Sequence, residues 1–319
     1  MNSSDIIKGM IQKRTVFVLG AGASMAYGFP SGTTLRHEIC TETLRPGDPR
    51  HTILMEMGHS YDEVEQCRVA LARSWASSID MFIASRADHA DVAKAAIALT
   101  IATYERDNDL FFADPKEDWF RYLWRFLHDP NGEPLPKDRV SFVTFNYDRT
   151  LEHALANGLK HAKNVPEVTS KVLPTIVHVY GSLGKYPFQD ISEPTRDFQT
   201  RSDAENIKQS RDSIDVTYDK TPSSQFPAQA QDLLKHAEQV IFLGFGYDED
   251  NLRVLKLLRQ DSSLAPDCHV RGTAMHVTGT ERILVESLLG RQNMAGGLAF
   301  GLEEMNCLMF LRESVRFFQ

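Results

Sequence analysis

The run Thr15-Val16-Phe17-Val18-Leu19-Gly20-Ala21-Gly22-Ala23-Ser24 decides the fold. Its first five residues are β-branched, aromatic or aliphatic, the make-up of a short buried strand. Glycine ends that strand, and a helix is expected to begin near Ser24. Gly20 permits the tight turn, and Gly22 lets backbone N–H groups approach a pyrophosphate at the helix N-terminus. Two glycines after a strand also occur in plain connections. The run therefore argues for an α/β unit and leaves its ligand open.

Similar runs recur downstream. Arg139–Phe145 reads as a strand that delivers Asn146 and Asp148, with a helix from Asp148 to about Asn157. Thr175–Tyr180 reads as another, carrying His178 just ahead of the Gly181 turn. Gln239–Gly244 ends in Gly244-Phe245-Gly246-Tyr247-Asp248, a second glycine turn. Val270–Thr278 is a further strand. In an open parallel sheet, ligands sit outside the carboxyl ends of the strands. Asn146, Asp148, His178 and the glycine bend then converge on one crevice. Each group also has a plainer reading. Asn146 satisfies a turn and Asp148 caps a helix. His178 is a hydrogen-bonded core group. Gly244 and Gly246 make an ordinary turn, with Asp248 or Asp250 capping the next helix. The acidic ribose ligand of a dinucleotide-binding unit is missing, since the second strand leads into Asn146.

The remaining pattern is mostly helical. Residues 4–12 suit a short helix capped by Ser3 or Ser4, and Phe29-Pro30-Ser31-Gly32 interrupts the helix begun at Ser24. Thr33 or Thr34 is expected to cap a helix towards Leu44. Apolar spacing predicts helices over Tyr61–Arg86, Ala87–Asp107 and 114–128, the last with Pro115 in its first turn, before a loop at Asp129–Lys137. Residues 181–228 read as a lid or surface loop with one helix opened by Ser202 and Glu205 as a capping box. Helices at Gln229–Glu238, Asp248–Arg259, Glu281–Leu289 and Leu302–Phe317 complete the chain. The expected class is α/β: a Rossmann-like doubly wound, mostly parallel sheet with a helical insertion at 35–138. Residues 15–34 and 139–319 form the sheet-bearing part of a single unit spanning 1–319.

Composition narrows the partners. The chain has 319 residues, enough for a full core, with 42% hydrophobic residues, as in ordinary globular proteins. A net charge of −8 argues against direct nucleic-acid or anionic-membrane binding. No apolar run is long enough to cross a bilayer, and residues 1–12 carry no signal-peptide core. Cys40, Cys67, Cys268 and Cys307 are scattered without CxxC spacing, so no zinc ribbon or other metal is expected. Reduced thiols in a cytoplasmic protein are the simplest reading.

In this order, Gly20–Ser24, Gly28–Gly32, Thr144-Phe145-Asn146-Tyr147-Asp148, His178–Gly181 and Phe242–Asp248 resemble the sirtuin-like NADases of bacterial anti-phage systems. The resemblance implies a zinc-free sirtuin-like domain, with the helical insertion in place of the zinc-binding small domain. It implies hydrolysis of NAD to nicotinamide and ADP-ribose, depleting the cofactor in abortive infection, with NAD as substrate and no metal. By this likeness Asn146 contacts the nicotinamide ribose or positions a water, and His178 is the catalytic base. Gly20, Ala21, Gly22 and Ser24 face the phosphates, with Gly244 and Gly246 as further cofactor contacts. Phe29 and Pro30 shape the nicotinamide pocket, and Asp148 holds the carboxamide. It further implies a homo-oligomer and a regulatory partner chain, a HerA-type ATPase first and an Argonaute-like protein second. A protein deacylase or ADP-ribosyltransferase, or a non-catalytic NAD or ADP-ribose sensor, is the alternative. A generic Rossmann oxidoreductase fits least, for want of the acidic ribose ligand.

Overall fold

The computed structural model describes residues 11–127, 136, 138–161, 172–187, 195–199, 202–216, 226–290 and 300–315. The chain opens with β1 (Thr15–Leu19) and the short helix α1 (Ala21–Ser24). Then come α2 (Gly32–Glu38), α3 (Pro49–Glu56), α4 (Tyr61–Arg73), α5 (Ile79–Ser85), α6 (Ala90–Ala102), α7 (Asp107–Phe111) and α8 (Trp119–Trp124). Next are β2 (Val140–Thr144), α9 (Thr150–Lys160), β3 (Thr175–His178), α10 (Ala204–Asp212) and α11 (Phe226–Lys235). The chain closes with β4 (Gln239–Leu243), α12 (Glu249–Val254), β5 (His269–Thr273), α13 (Gly279–Leu289), β6 (Phe300–Glu303) and α14 (Cys307–Glu313).

The strands form one parallel sheet in the order β3-β2-β1-β4-β5-β6. This is the doubly wound order of dinucleotide-binding folds, and it reverses direction between β1 and β4. The fold is therefore the expected Rossmann-like α/β class. β1 is central, pairing in register with β2 on one side and β4 on the other. All residues of β1, β2 and β4 are buried, which explains their near-continuous apolar character. Phe17 and Phe142 stack at 5.3 Å across the β1–β2 pair. Burying each such side chain contributes about 1.5–3 kcal/mol.

Among the described residues, α1 and the seven helices α2 to α8 separate β1 from β2. At their centre lies α6, whose Ala-rich sequence is buried on nearly every side. Small side chains let neighbouring helices approach it closely, and a helix apolar all round belongs inside. The block grips the glycine bend from behind. The Trp119 indole N–H donates to the Ala23 carbonyl at 2.8 Å, and Tyr27 stacks on Phe120 at 4.5 Å.

Several helix boundaries differ from expectation. Ser31, not Thr33 or Thr34, caps α2 by accepting from the Thr34 N–H. The Tyr61–Arg86 pattern is two helices, because Ser74 ends α4 in an extended conformation and Ser78 caps α5. Asp118 caps α8, so Pro115 lies in the turn ahead of it. Asp203, not Ser202, caps α10 through the Asn206 N–H. The helix after Asp248 ends at Val254, and Lys256 takes a positive φ of 52°. The expected final helix, Leu302–Phe317, takes in the end of β6 as well as α14, since Phe300–Glu303 pairs with β5. Most of the 4–12 helix, most of the 129–137 loop and parts of 181–228 lie outside the described residues.

Candidate active site

The carboxyl ends of β1, β2 and β4 bring the first two glycine turns and Asn146 together, but the glycines serve a purpose sequence did not reveal. Gly22 donates its N–H to the Gly244 carbonyl at 3.0 Å, and Gly20 donates to the Leu243 carbonyl at 3.1 Å. A Cβ on Gly20 would lie 2.5 Å from the Gly244 oxygen, and one on Gly22 2.8 Å from the Gly244 Cα. Gly244 itself has φ +57°, and a Cβ there would lie 2.0 Å from the Ala23 nitrogen. These glycines allow two backbones to touch. The Gly22 N–H is thereby taken, in contrast to its expected role at a phosphate. Ala21 and the exposed Gly246 keep backbone N–H groups with no acceptor among the described residues, so they fit an anionic ligand.

Asn146 follows β2 and reaches across to β1. Its Nδ2 donates to the Gly20 carbonyl and to the Ser24 hydroxyl, each at 3.0 Å. A carbonyl only accepts, so this contact fixes which end of the amide is nitrogen. The side-chain oxygen accepts from no described residue. The Ser24 hydroxyl in turn donates to Asp148 Oδ2 at 2.8 Å. Asp148 Oδ1 accepts from the Thr150 N–H at 3.1 Å and from its hydroxyl. Burial pushes the Asp148 carboxyl above its ordinary range, against the pull of the Thr150 and Ser24 hydrogen bonds. Ser24 and Asp148 are both buried and hydrogen-bonded to one another, with Thr150 on the second carboxylate oxygen.

His178 is also differently employed. Its ring is buried, with Nδ1 2.8 Å from the Asn146 backbone carbonyl and Nε2 2.6 Å from Glu152 Oε1. The carbonyl requires a proton on Nδ1, and Nε2 shares a proton with Glu152. Burial alone would lower this imidazole, but the charge and hydrogen bond of Glu152 outweigh it and hold the pKa above its ordinary value. For Glu152, burial is outweighed by His178 and Arg149, and the carboxyl sits below its usual range. Both ring nitrogens are therefore occupied. The expected base instead holds the backbone of Asn146, one residue away from the glycine bend.

Phe29 packs into the helical block against Tyr104 at 6.0 Å, with Pro30 half-buried beside it in sequence. Groups without a sequence signal also border the crevice. Tyr180, ahead of Gly181, donates its hydroxyl to Asn251 Oδ1 at 2.8 Å, linking the end of β3 to α12. Its ring packs on Phe145, and Phe145 packs on Phe245, each at about 5.3–5.4 Å. Tyr147 hydrogen-bonds Asp80 of α5. Only the tyrosine just before a glycine turn, in the place where His178 was weighed, could have prompted attention to Tyr180.

Two cavities lie away from this crevice. One of about 910 Å³ is bordered by α4, α5 and Trp75, and one of about 370 Å³ opens at the amino ends of the strands near Thr15 and Thr175. Among the described residues no His, Cys, Asp or Glu cluster could hold a metal ion, and no helix is long and apolar enough to cross a membrane.

No protein of curated function matches the chain. The family model of the SIR2-like domain matches residues 140–269, from β2 to the first residue of β5. The matched stretch holds Asn146, Asp148, His178, Gly244 and Gly246, while β1 and the helical block fall outside it. The match supports a sirtuin-like family and fits NAD-related activity.

Proposed function

We propose that the chain hydrolyses the bond between nicotinamide and ribose in NAD, as a single catalytic unit carrying the helical block at 35–138 as an insertion. One observation carries the reading: Asn146 is held by the glycine bend through its nitrogen and presents an oxygen that no described residue uses. The C1′–N bond breaks with its electron pair moving onto nicotinamide, which leaves neutral. Positive charge passes to the ribose, and the Asn146 oxygen stabilises that charge or orients the incoming water. The water oxygen bonds to C1′ and its proton passes to solvent. His178 acts here as a positioning residue for Asn146. The Ala21 and Gly246 N–H groups receive the phosphates.

Continuous turnover would exhaust a shared cofactor, so activity requires a restraint. We place that restraint in self-assembly or in a partner chain, a HerA-type ATPase first, and the activity in cytoplasmic anti-phage defence. Free nicotinamide should appear when purified protein, alone and with such a partner, is incubated with NAD. No release under either condition overturns the reading.

The occupied nitrogens of His178 favour one second reading, a non-catalytic module that binds NAD or ADP-ribose. Tight binding with no nicotinamide release would select it.

A further inference from the structure

Asp80 stands in the first turn of α5, far in sequence from the sheet, yet it reaches the sheet's carboxyl end. One oxygen accepts from the Tyr147 hydroxyl, in the turn after β2. The charge of Asp248, in the turn after β4, also acts on this carboxyl. β2 and β4 flank β1 in register, and the turns that carry Tyr147 and Asp248 follow them at the carboxyl end of the sheet. That is where the chain reverses its winding and where the Gly20–Gly22 bend lies. Through Tyr147 the helical block sets a half-buried carboxylate at this end of the sheet.

This carboxylate lacks what two other buried acids have. Glu105 faces Arg149 and Arg196, and Glu152 faces His178. Asp80 faces no cationic side chain among the described residues; its partners are Tyr147 and Ser78. A carboxylate at a ligand crevice without a protein cation is suited to a ligand that brings one.

We infer that Asp80 is a specificity-determining residue that recognises the permanent positive charge of the nicotinamide ring in oxidised NAD. This rests on the NAD reading above and deepens it. Oxidised NAD carries a pyridinium cation, its reduced form a neutral dihydropyridine, and ADP-ribose no nicotinamide ring. Burial holds the free Asp80 carboxyl above its ordinary range, and a cation docked beside it favours the ionised form. The same charge that binds the ring holds the leaving group before the bond breaks, while Asn146 acts at the ribose.

The test is calorimetric titration of the whole chain with carbocyclic NAD, whose ring is cationic but whose glycosidic bond resists cleavage, and separately with NADH and ADP-ribose. Asp80→Asn keeps the shape and an oxygen that accepts from Tyr147. It should weaken carbocyclic NAD by about tenfold while changing NADH and ADP-ribose less than about twofold. Tyr147→Phe removes the phenol contact but not the charge, and should preserve the preference for the cationic ligand. Equal weakening of all three ligands by Asp80→Asn, or no weakening, overturns the inference and leaves the NAD reading standing. Failure of the wild-type chain to bind any of the three overturns both.

Discussion

The stretch Asn146–His153 serves two regions at once, and the two are built differently. Asn146, Asp148, Thr150 and Glu152 turn towards the sheet, meeting Gly20, Ser24 and His178. Tyr147, Arg149 and His153 turn towards the helical block, meeting Asp80, Glu105 and Asp107. Around Asn146 the sheet side is built of hydroxyls, amides and backbone groups, with the Glu152–His178 pair behind them, and the Asn146 oxygen has no partner among the described residues. The block side centres on full charges out of water. Glu105 receives Arg149 at 2.8 Å and Arg196 at 2.6 Å, all with buried side chains. Short-range neutral contacts set atomic position at low cost, whereas buried charges make separation of the two regions expensive. One side is arranged for geometry and the other for attachment.

The largest effect should come from breaking the attachment. Glu105→Gln leaves two buried guanidinium groups without a counter-charge and should cost about 3–5 kcal/mol in urea denaturation. Arg149→Met should cost less, because Arg196 then keeps the carboxylate to itself. Equal costs would refute this account of the triad. Next in size is Asn146→Ala, which should reduce nicotinamide release by about a hundredfold or more. Its stability cost should be only about 1 kcal/mol, which separates geometry from attachment.

A smaller effect concerns the Glu152–His178 pair. The lowered carboxyl contributes stability above its unfolded value of about 4.3, lost as pH falls through the folded pKa. The raised imidazole contributes stability fully present below its unfolded value of about 6.5, lost as pH rises through the folded pKa. Thermal melts of wild type and Glu152→Gln should therefore differ most at about pH 5–6 and converge as pH rises past the folded His178 pKa. A pH-independent gap would show that the pair does not titrate as described. Smallest is Tyr27→Phe, which removes the donor to Asp118 and the acceptor for the Phe120 N–H. About 1 kcal/mol in denaturant unfolding is expected, with little change in ligand affinity.

Sequence made the central sheet legible because buried parallel strands are apolar runs closed by glycine, as in Thr15–Leu19 and Gln239–Leu243. β6 escaped notice because Phe-Gly-Leu-Glu is short, contains glycine and runs into residues with helical spacing. Asn146 was legible as a polar residue closing an apolar strand. The engagement of His178 was not, because Glu152 approaches it from α9 and only the tertiary fold brings the two together. Asp80 and Glu105 were invisible for the same reason. An acid on a helix surface and an acid under a neighbouring element have the same sequence signature.

The position of β1 also has a consequence during synthesis. It leaves the ribosome first among the described strands, but β2 begins at residue 140 and β4 at residue 239. At about 5–20 residues per second, the middle strand waits on the order of ten seconds or more for its second neighbour. The edge of β1 that takes β4 stays unpaired meanwhile, and the intervening helices, rich in local contacts, are able to assemble ahead of it. The nascent chain is thus most exposed to aggregation between these two arrivals. Slowing translation after residue 144 should lower the soluble yield more than slowing it after residue 243.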